Sequence, residues 1–200
     1  MTEALAVVGG YLLGSLPFGY WLPRLFRGED IRESGSGNVG ATNVFRVYGR
    51  RLGSAVVLLD VGKGFAAALL GIWAGGALVG VLAGAAAMLG HARPVFLRFQ
   101  KGGKMVATAG GATFALAPLA ALCCVGVWIL AFLLTRYASV ASIVTALALV
   151  LFVWVFGYAW PVLVFAVVGA AAIVFVHRHN LRRLSAGTEH RFELRRPRGA

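Results

Sequence analysis

The sequence predicts an all-α fold: a polytopic integral membrane helical bundle of seven transmembrane helices, some of them short, with five as the alternative. Three observations predict it. Hydrophobic residues make up 60% of the 200 residues and charged residues only 13%, whereas soluble domains run to about half apolar; the mean hydropathy is +0.82. Four runs, Ala4–Pro23, Gly64–Ala92, Met105–Thr135 and Tyr137–Val176, contain no Asp, Glu, Lys or Arg. Each is at least as long as the ~20 residues that cross a bilayer's hydrocarbon. Basic residues are segregated from these runs, for 17 of the 19 lie in Arg24–Arg51, His91–Lys104 and the tail after Val176. A net charge of +12 would by itself suggest nucleic acid. Distributed in blocks between apolar runs, it excludes nucleic acid and sets membrane orientation instead.

The positive-inside rule puts all three basic segments in the cytoplasm. An even number of crossings then separates each pair, the N-terminus lies outside, and the C-terminus is cytoplasmic. Residues 1–200 form a single domain, with 177–200 as a basic cytoplasmic tail. The first run reads as a membrane helix and not a cleaved signal, because Met1-Thr2-Glu3 lacks a positive n-region. Tyr20 and Trp21 near its far end suit an interfacial anchor. Leu52–Ala92 is long enough for two helices, with a break near Ala74-Gly75-Gly76. Gly76, Gly80 and Gly84 recur every fourth residue and line one face for close packing. Met105–Val176 offers breaks at Pro118, at Arg136 and around Gly157–Pro161. Parity forbids three helices there and allows two long or four short ones. Cys123 and Cys124 are adjacent, a poor geometry for a mutual disulfide, and read as apolar fillers. No ligand spacing for a metal exists.

The first basic segment contains Ser34-Gly35-Ser36-Gly37-Asn38-Val39-Gly40-Ala41-Thr42-Asn43, followed by Arg46. Its formal GxGxxG is not a dinucleotide fingerprint, since no strand precedes it and no βαβ unit surrounds it. Glycines do allow backbone N–H groups to converge as an anion nest. Ser36, Asn38, Thr42 and Asn43 add short donors, and Arg46 a planar fork for phosphate. The second segment contains His91 and Lys101-Gly102-Gly103-Lys104, two ammonium groups around a flexible pair at the start of an apolar run. That is a second phosphate site, or else a positive anchor with a turn. His91 is either an interfacial hydrogen-bonder or catalytic. Asp60 and Lys63, at i,i+3 in an apolar run, form an ion pair, with a substrate-facing role for Lys63 left open. Arg136 with Ser139 either snorkels or lines the site. His177 and Asn180 share a helix face in the tail.

In this order and spacing the segments resemble the bacterial acyl-phosphate-dependent glycerol-3-phosphate acyltransferases, over nearly the whole chain. The resemblance rests on Ser36–Asn43 with Arg46, Asp60-Val61-Gly62-Lys63-Gly64, Gly90-His91 with Pro94-Val95-Phe96, and Lys101–Lys104. It continues through Arg136-Tyr137 with Ser139, and through His177-Arg178, Asn180 and Gly187-Thr188-Glu189. It implies seven helices in the bacterial plasma (inner) membrane and an active site facing the cytoplasm. The implied reaction carries the acyl group of a fatty acyl phosphate to the sn-1 hydroxyl of glycerol 3-phosphate, giving lysophosphatidate and phosphate. Acyl-CoA and acyl carrier protein are not used directly, and no cofactor or metal is implied. Met105 stands where the family usually carries glycine, Gln100 where lysine is common, Val39 where proline is frequent, and His179 where an acid often stands.

The expected catalytic residues are Ser36, Arg46, His91, Lys104 and Asn180. Those expected to bind substrate are Gly37, Asn38, Gly40, Thr42, Asn43, Lys63, Lys101, Gly102, Gly103, Arg136, Ser139 and His177. Transfer needs positioning, charge stabilisation and removal of the hydroxyl proton. No histidine here has an acid five residues on, so either His91 acts without a partner close in sequence or a substrate phosphate takes the proton. An organic-anion or phosphate transporter would place its groups near the midplane between inverted repeats, which the sequence lacks. A non-catalytic lipid-binding protein would leave the Ser-Gly-Asn segment without a purpose.

Overall fold

The structure, a computed structural model, describes residues 1–192; residues 193–200 of the basic tail lie outside the described residues. Nine α-helices and no strand are found among them: α1 (Thr2–Gly14), α2 (Phe18–Arg27), α3 (Ala41–Tyr48), α4 (Arg50–Ala92), α5 (Val106–Leu116), α6 (Pro118–Thr135), α7 (Ala138–Val155), α8 (Trp160–Val176) and α9 (Arg178–Ser185). By length and composition four helical segments suffice to cross a membrane, or five if α8 and α9, bent by 54°, count as one.

The expected breaks are found where glycine, proline or arginine stands. α4 turns back on itself at Gly75 and Gly76, and Gly76 has φ 74°. Its two limbs run antiparallel, with Gly71 against Val79 and Gly80, and Gly80 and Gly84 against Ala68. The stretch from Met105 to Val176 divides into four helices. Pro118 opens α6 as a helix N-terminal proline, Arg136 ends it at φ 61°, and Gly157 at φ 66° separates α7 from α8. α5 has only eleven residues, about 16 Å of helix, well short of a ~30 Å hydrocarbon core.

One expectation is refined and one corrected. The first apolar run stands as a single candidate crossing segment, Thr2–Arg27, but with a local break: α1 ends at Gly14, and Ser15, Leu16 and Pro17 separate it from α2. Proline disfavours helical backbone in the residue before it and supplies no amide hydrogen. α2 is then a short amphipathic helix, with Leu25 and Phe26 exposed beside Arg24 and Arg27. Gly76 also leaves the small-residue face, because it makes the turn and a Cβ there would meet nothing.

Packing depends on small residues. α1 lies on the second limb of α4 through Gly10 against Ala83 and Gly14 against Ala87. α5 approaches the first limb where Gly64 meets the Thr108 carbonyl and Gly111 meets that of Val61. Helices surrounded by lipid gain little from hiding apolar side chains, so close backbone contact supplies the attraction. Large side chains face outward instead, among them Trp73, Leu130, Leu134, Trp154 and Trp160. A surface this apolar suits hydrocarbon and not water.

A Cβ at Gly64 has no room against the Thr108 backbone, whereas one at Gly110 meets nothing within 4 Å. Gly64→Val is expected to lower the unfolding temperature of the detergent-solubilised protein, corresponding to about 1–3 kcal/mol of overpacking. Gly110→Ala is expected to leave it level or slightly higher.

Candidate active site

The three basic segments meet at one end of the bundle. Asp30 caps the short 3-10 turn Ile31–Glu33 and holds the Arg32 guanidinium at 2.6 Å. Another Arg32 nitrogen donates to Gln100 Oε1 at 2.7 Å. Asn38 Nδ2 donates to the Gly102 carbonyl at 3.4 Å, and Trp21 lies against Phe96, with centroids 5.9 Å apart. These contacts seat the first loop against the second.

Gly35 and Gly37 turn the first loop with φ of 60° and 67°, a region costly to other residues. Asn43 reaches back into this loop from the first turn of α3. Its Oδ1 accepts from the Ser36 amide at 2.9 Å, and its Nδ2 donates to the carbonyls of Ser34 and Asn38, both at 3.0 Å. Only 2% of Asn43 is exposed, and its side chain braces the loop from within. The Gly37 amide donates to Ser34 O, and the Gly40 amide to Asn38 Oδ1 at 2.8 Å. The expected nest of inward amides is therefore largely committed to the loop itself. What the segment leaves open is the exposed Ser36 and Thr42, the uncapped N-terminus of α3, and Arg46. The Arg46 guanidinium lies 5.1 Å from the Phe192 ring centroid.

The second loop closes over His91. The Gly102 amide donates to Ala92 O at 2.9 Å and the Gly103 amide to His91 O at 3.0 Å. A Cβ on Gly103 would strike the His91 imidazole. Lys101 is exposed. Met105 adopts φ 68° as the N-cap of α5. The non-glycine side chain at this position thus accepts the left-handed backbone and is buried.

Lys104 reaches the third segment. Its Nζ donates to Asn180 Oδ1 at 2.6 Å, and Asn180 Nδ2 donates to Glu189 Oε1 at 2.6 Å. Glu189 also accepts from Ser139 Oγ at 2.9 Å and from Arg183 Nε at 2.7 Å. His177, at the bend between α8 and α9, sets its Nδ1 2.8 Å from Ile173 O. A neutral ring protonated there would keep Nε2 as an acceptor. The Arg136 carbonyl accepts from the Phe192 amide at 2.9 Å. Its guanidinium makes no hydrogen bond among the described residues.

Thus Lys104, Asn180 and Ser139 come together, with His177 and Arg46 close enough to Lys104 for their charges to interact. Ser36 and Lys101 lie on exposed loops and Thr42 on the exposed first turn of α3, with no side-chain hydrogen bond to this group among the described residues. Glu189 and Arg183 were not expected as site residues. The signal available for Glu189 was an acid within an arginine-rich tail, where a partner is electrostatically favoured.

Lys63 and His91 belong to a second, buried cluster. Lys63 Nζ lies 2.7 Å from Asp60 Oδ1 and donates to Leu16 O at 2.8 Å. His91 Nδ1 lies 3.6 Å from the same Asp60 oxygen. Lys63 is 5% exposed, and its ammonium forms the expected ion pair with Asp60. His91 does have an acidic neighbour, Asp60, which spacing along the sequence did not reveal.

Electrostatics favour an anion at the first cluster. Burial pushes Lys104 down to about 8, against the attraction of Glu189. Burial raises the Glu189 carboxyl, but hydrogen bonds from Asn180, Arg183 and Ser139 outweigh it and hold the group below its usual range. One carboxylate thus faces Arg46, Lys104 and Arg183, leaving a positive surplus suited to phosphate. No group of three or more His, Cys, Asp or Glu able to hold a metal occurs among the described residues.

Comparison with known proteins gives one consistent result. The family model for glycerol-3-phosphate acyltransferase matches residues 4–187. A glycerol-3-phosphate acyltransferase of Aquifex aeolicus is 47% identical over 96% of this chain and 100% of its own length. One from Synechococcus sp. (strain JA-3-3Ab) is 44% identical over 96% and 94%. The crystal structure of PlsY (YgiH), an integral membrane glycerol 3-phosphate acyltransferase in its glycerol 3-phosphate form, superposes with a TM-score of 0.92. It is 46% identical, covering 96% of each chain.

Because the Lys104 ammonium is charged below about 8 and neutral above, affinity for inorganic phosphate is expected to fall as pH rises from about 7 to about 10. Bound anion favours the charged form, so the midpoint of this loss lies at or above the free-protein value. Lys104→Arg should flatten the profile, since arginine stays charged throughout. Titration of phosphate binding across this range checks both.

Proposed function

The chain belongs to the glycerol-3-phosphate acyltransferase family and is an acyltransferase, and on that premise we propose that it acylates the sn-1 hydroxyl of glycerol 3-phosphate with a fatty acyl phosphate. The hydroxyl oxygen attacks the acyl carbon, the bond from that carbon to the phosphate oxygen breaks, and the hydroxyl proton leaves with phosphate. Lysophosphatidate and inorganic phosphate result. Neither acyl-CoA nor acyl carrier protein is the donor, and the chemistry needs no cofactor, because an acyl phosphate is already an activated anhydride.

The observation that supports this reading best is the convergence of Arg46, Lys104 and Asn180 from three separate basic segments on one polar end of an apolar bundle. Both substrates carry phosphate, and the end of the bundle carries surplus positive charge beside lipid-facing helices that suit an acyl chain. Arg46 and Lys104 neutralise phosphoryl charge, as electrostatic stabilisation requires. Asn180, Ser139 and His177 orient the bound groups; Ser36, Gly37, Asn38, Gly40 and Thr42 form the loop over one phosphate, and Lys101, Gly102 and Gly103 the loop over the other. Arg136 lies beside this rim.

The His91 imidazole is turned toward Asp60 and covered by Gly103, which supports a phosphate oxygen of the substrate as the proton acceptor. The chain acts as one domain that crosses the bacterial plasma (inner) membrane seven times, α4 contributing two limbs and α5 a short one. The N-terminus is outside and the site faces the cytoplasm, the side to which the positive-inside rule assigns the three basic segments.

Purified protein in lipid nanodiscs, given labelled glycerol 3-phosphate, is expected to form lysophosphatidate with palmitoyl phosphate and not with palmitoyl-CoA. Product from neither donor would overturn the reading, and product from palmitoyl-CoA alone would overturn the choice of donor.

A further inference from the structure

A carboxylate and an ammonium buried between membrane limbs are costly, and an apolar pair of similar size is often as stable. Asp60 and Lys63, with 2% of each side chain exposed, therefore need a reason beyond holding the fold together. Their surroundings supply one. Lys63 donates to Leu16 O, at the break between α1 and α2 just before Pro17. This ties the first limb of α4 to the end of α1.

Asp60 Oδ1 sits at ion-pair distance from Lys63, but it has no aligned hydrogen-bond donor among the described residues. His91 Nδ1, from the second limb, faces the same oxygen at 3.6 Å. On its opposite edge the His91 ring meets Gly103 so closely that no Cβ would fit there, and the His91 carbonyl holds the Gly103 amide. The next residue is Lys104, whose ammonium reaches Asn180.

We propose that Asp60 and His91 are positioning residues: the buried carboxylate orients the imidazole, the imidazole sets the Gly103 backbone, and that backbone aims the Lys104 ammonium at phosphate. Neither residue touches substrate. Lys63 holds Asp60 in place through their ion pair. A side chain that acts through the placement of another is felt as strongly as a direct contact when the geometry is tight.

The proposal rests on the acyltransferase reading for its kinetic readout only. The full-length protein in nanodiscs is compared as wild type, His91→Ala and Asp60→Asn/Lys63→Met, each with and without Lys104→Gln. The double change removes both buried charges at nearly constant volume, so it leaves no lone charge to unfold the protein. Lys104→Gln identifies which phosphate-bearing substrate Lys104 serves. Both positioning variants are expected to raise the KM of that same substrate about 10-fold while kcat stays within about threefold. Added to Lys104→Gln, neither should cost anything further, because coupled residues are not additive. Additive losses in the Lys104→Gln background would overturn the proposal, as would a fall in kcat at unchanged KM, the mark of a catalytic base. Where Lys104→Gln is too slow to assay, the same cycle is read from equilibrium binding of labelled glycerol 3-phosphate and palmitoyl phosphate. Should the wild type bind these ligands but fail to turn over, the acyltransferase reading falls while the binding cycle still decides the positioning roles.

Discussion

The hydrogen bond from Lys104 Nζ to Asn180 Oδ1, 2.6 Å long, joins the loop after the α4 hairpin to the tail after α8. Glu189 completes the chain and draws in Ser139 from α7 and Arg183 from α9. A partly buried ammonium needs such a partner, since desolvation otherwise pushes it toward neutrality. The same carboxylate that steadies Lys104 is one charge against several, so the cluster is ordered and yet still positive. An anion with several oxygens fits that surplus.

The rest of the fold keeps this end polar and the remainder apolar. Glycine and alanine draw the limbs together, large side chains face outward, and breaks in the helices are confined to turn residues. The one charged interruption within a limb, Asp60 with Lys63, lies where α1 breaks and where the second loop is seated. Interior charge thus sits next to the loop that carries Lys104, instead of being scattered through the hydrocarbon-facing surface.

Much of this was legible in the sequence because the signals were local. Gly75-Gly76, Pro118, Arg136 and Gly157 punctuate uncharged runs, and charge segregation put three basic segments at one end. The break at Pro17 is equally local, a proline that interrupts an uncharged run which still forms one candidate crossing segment. Other features depended on what meets in space. Asn43 belongs to a donor-rich stretch, but its amide is consumed by Ser34, Ser36 and Asn38, which composition does not reveal. His91 has no acid close to it in sequence; Asp60 reaches it through the antiparallel register of the α4 limbs. Met105 stands at a position usually glycine, and burial of its side chain accompanies its left-handed backbone. Glu189 was part of the family resemblance, but its place at the centre of the site depends on the bend between α8 and α9.

The central claim, that Arg46 and Lys104 together hold phosphate at the meeting point of the three basic segments, is tested most directly by equilibrium binding of glycerol 3-phosphate and palmitoyl phosphate to the full-length Arg46→Gln/Lys104→Gln protein. Two charge-assisted hydrogen bonds at roughly 1.5–3 kcal/mol each predict that affinity for at least one of the two falls by about 100-fold or more. Affinity for both unchanged within about threefold, in a protein that remains folded, would contradict the account.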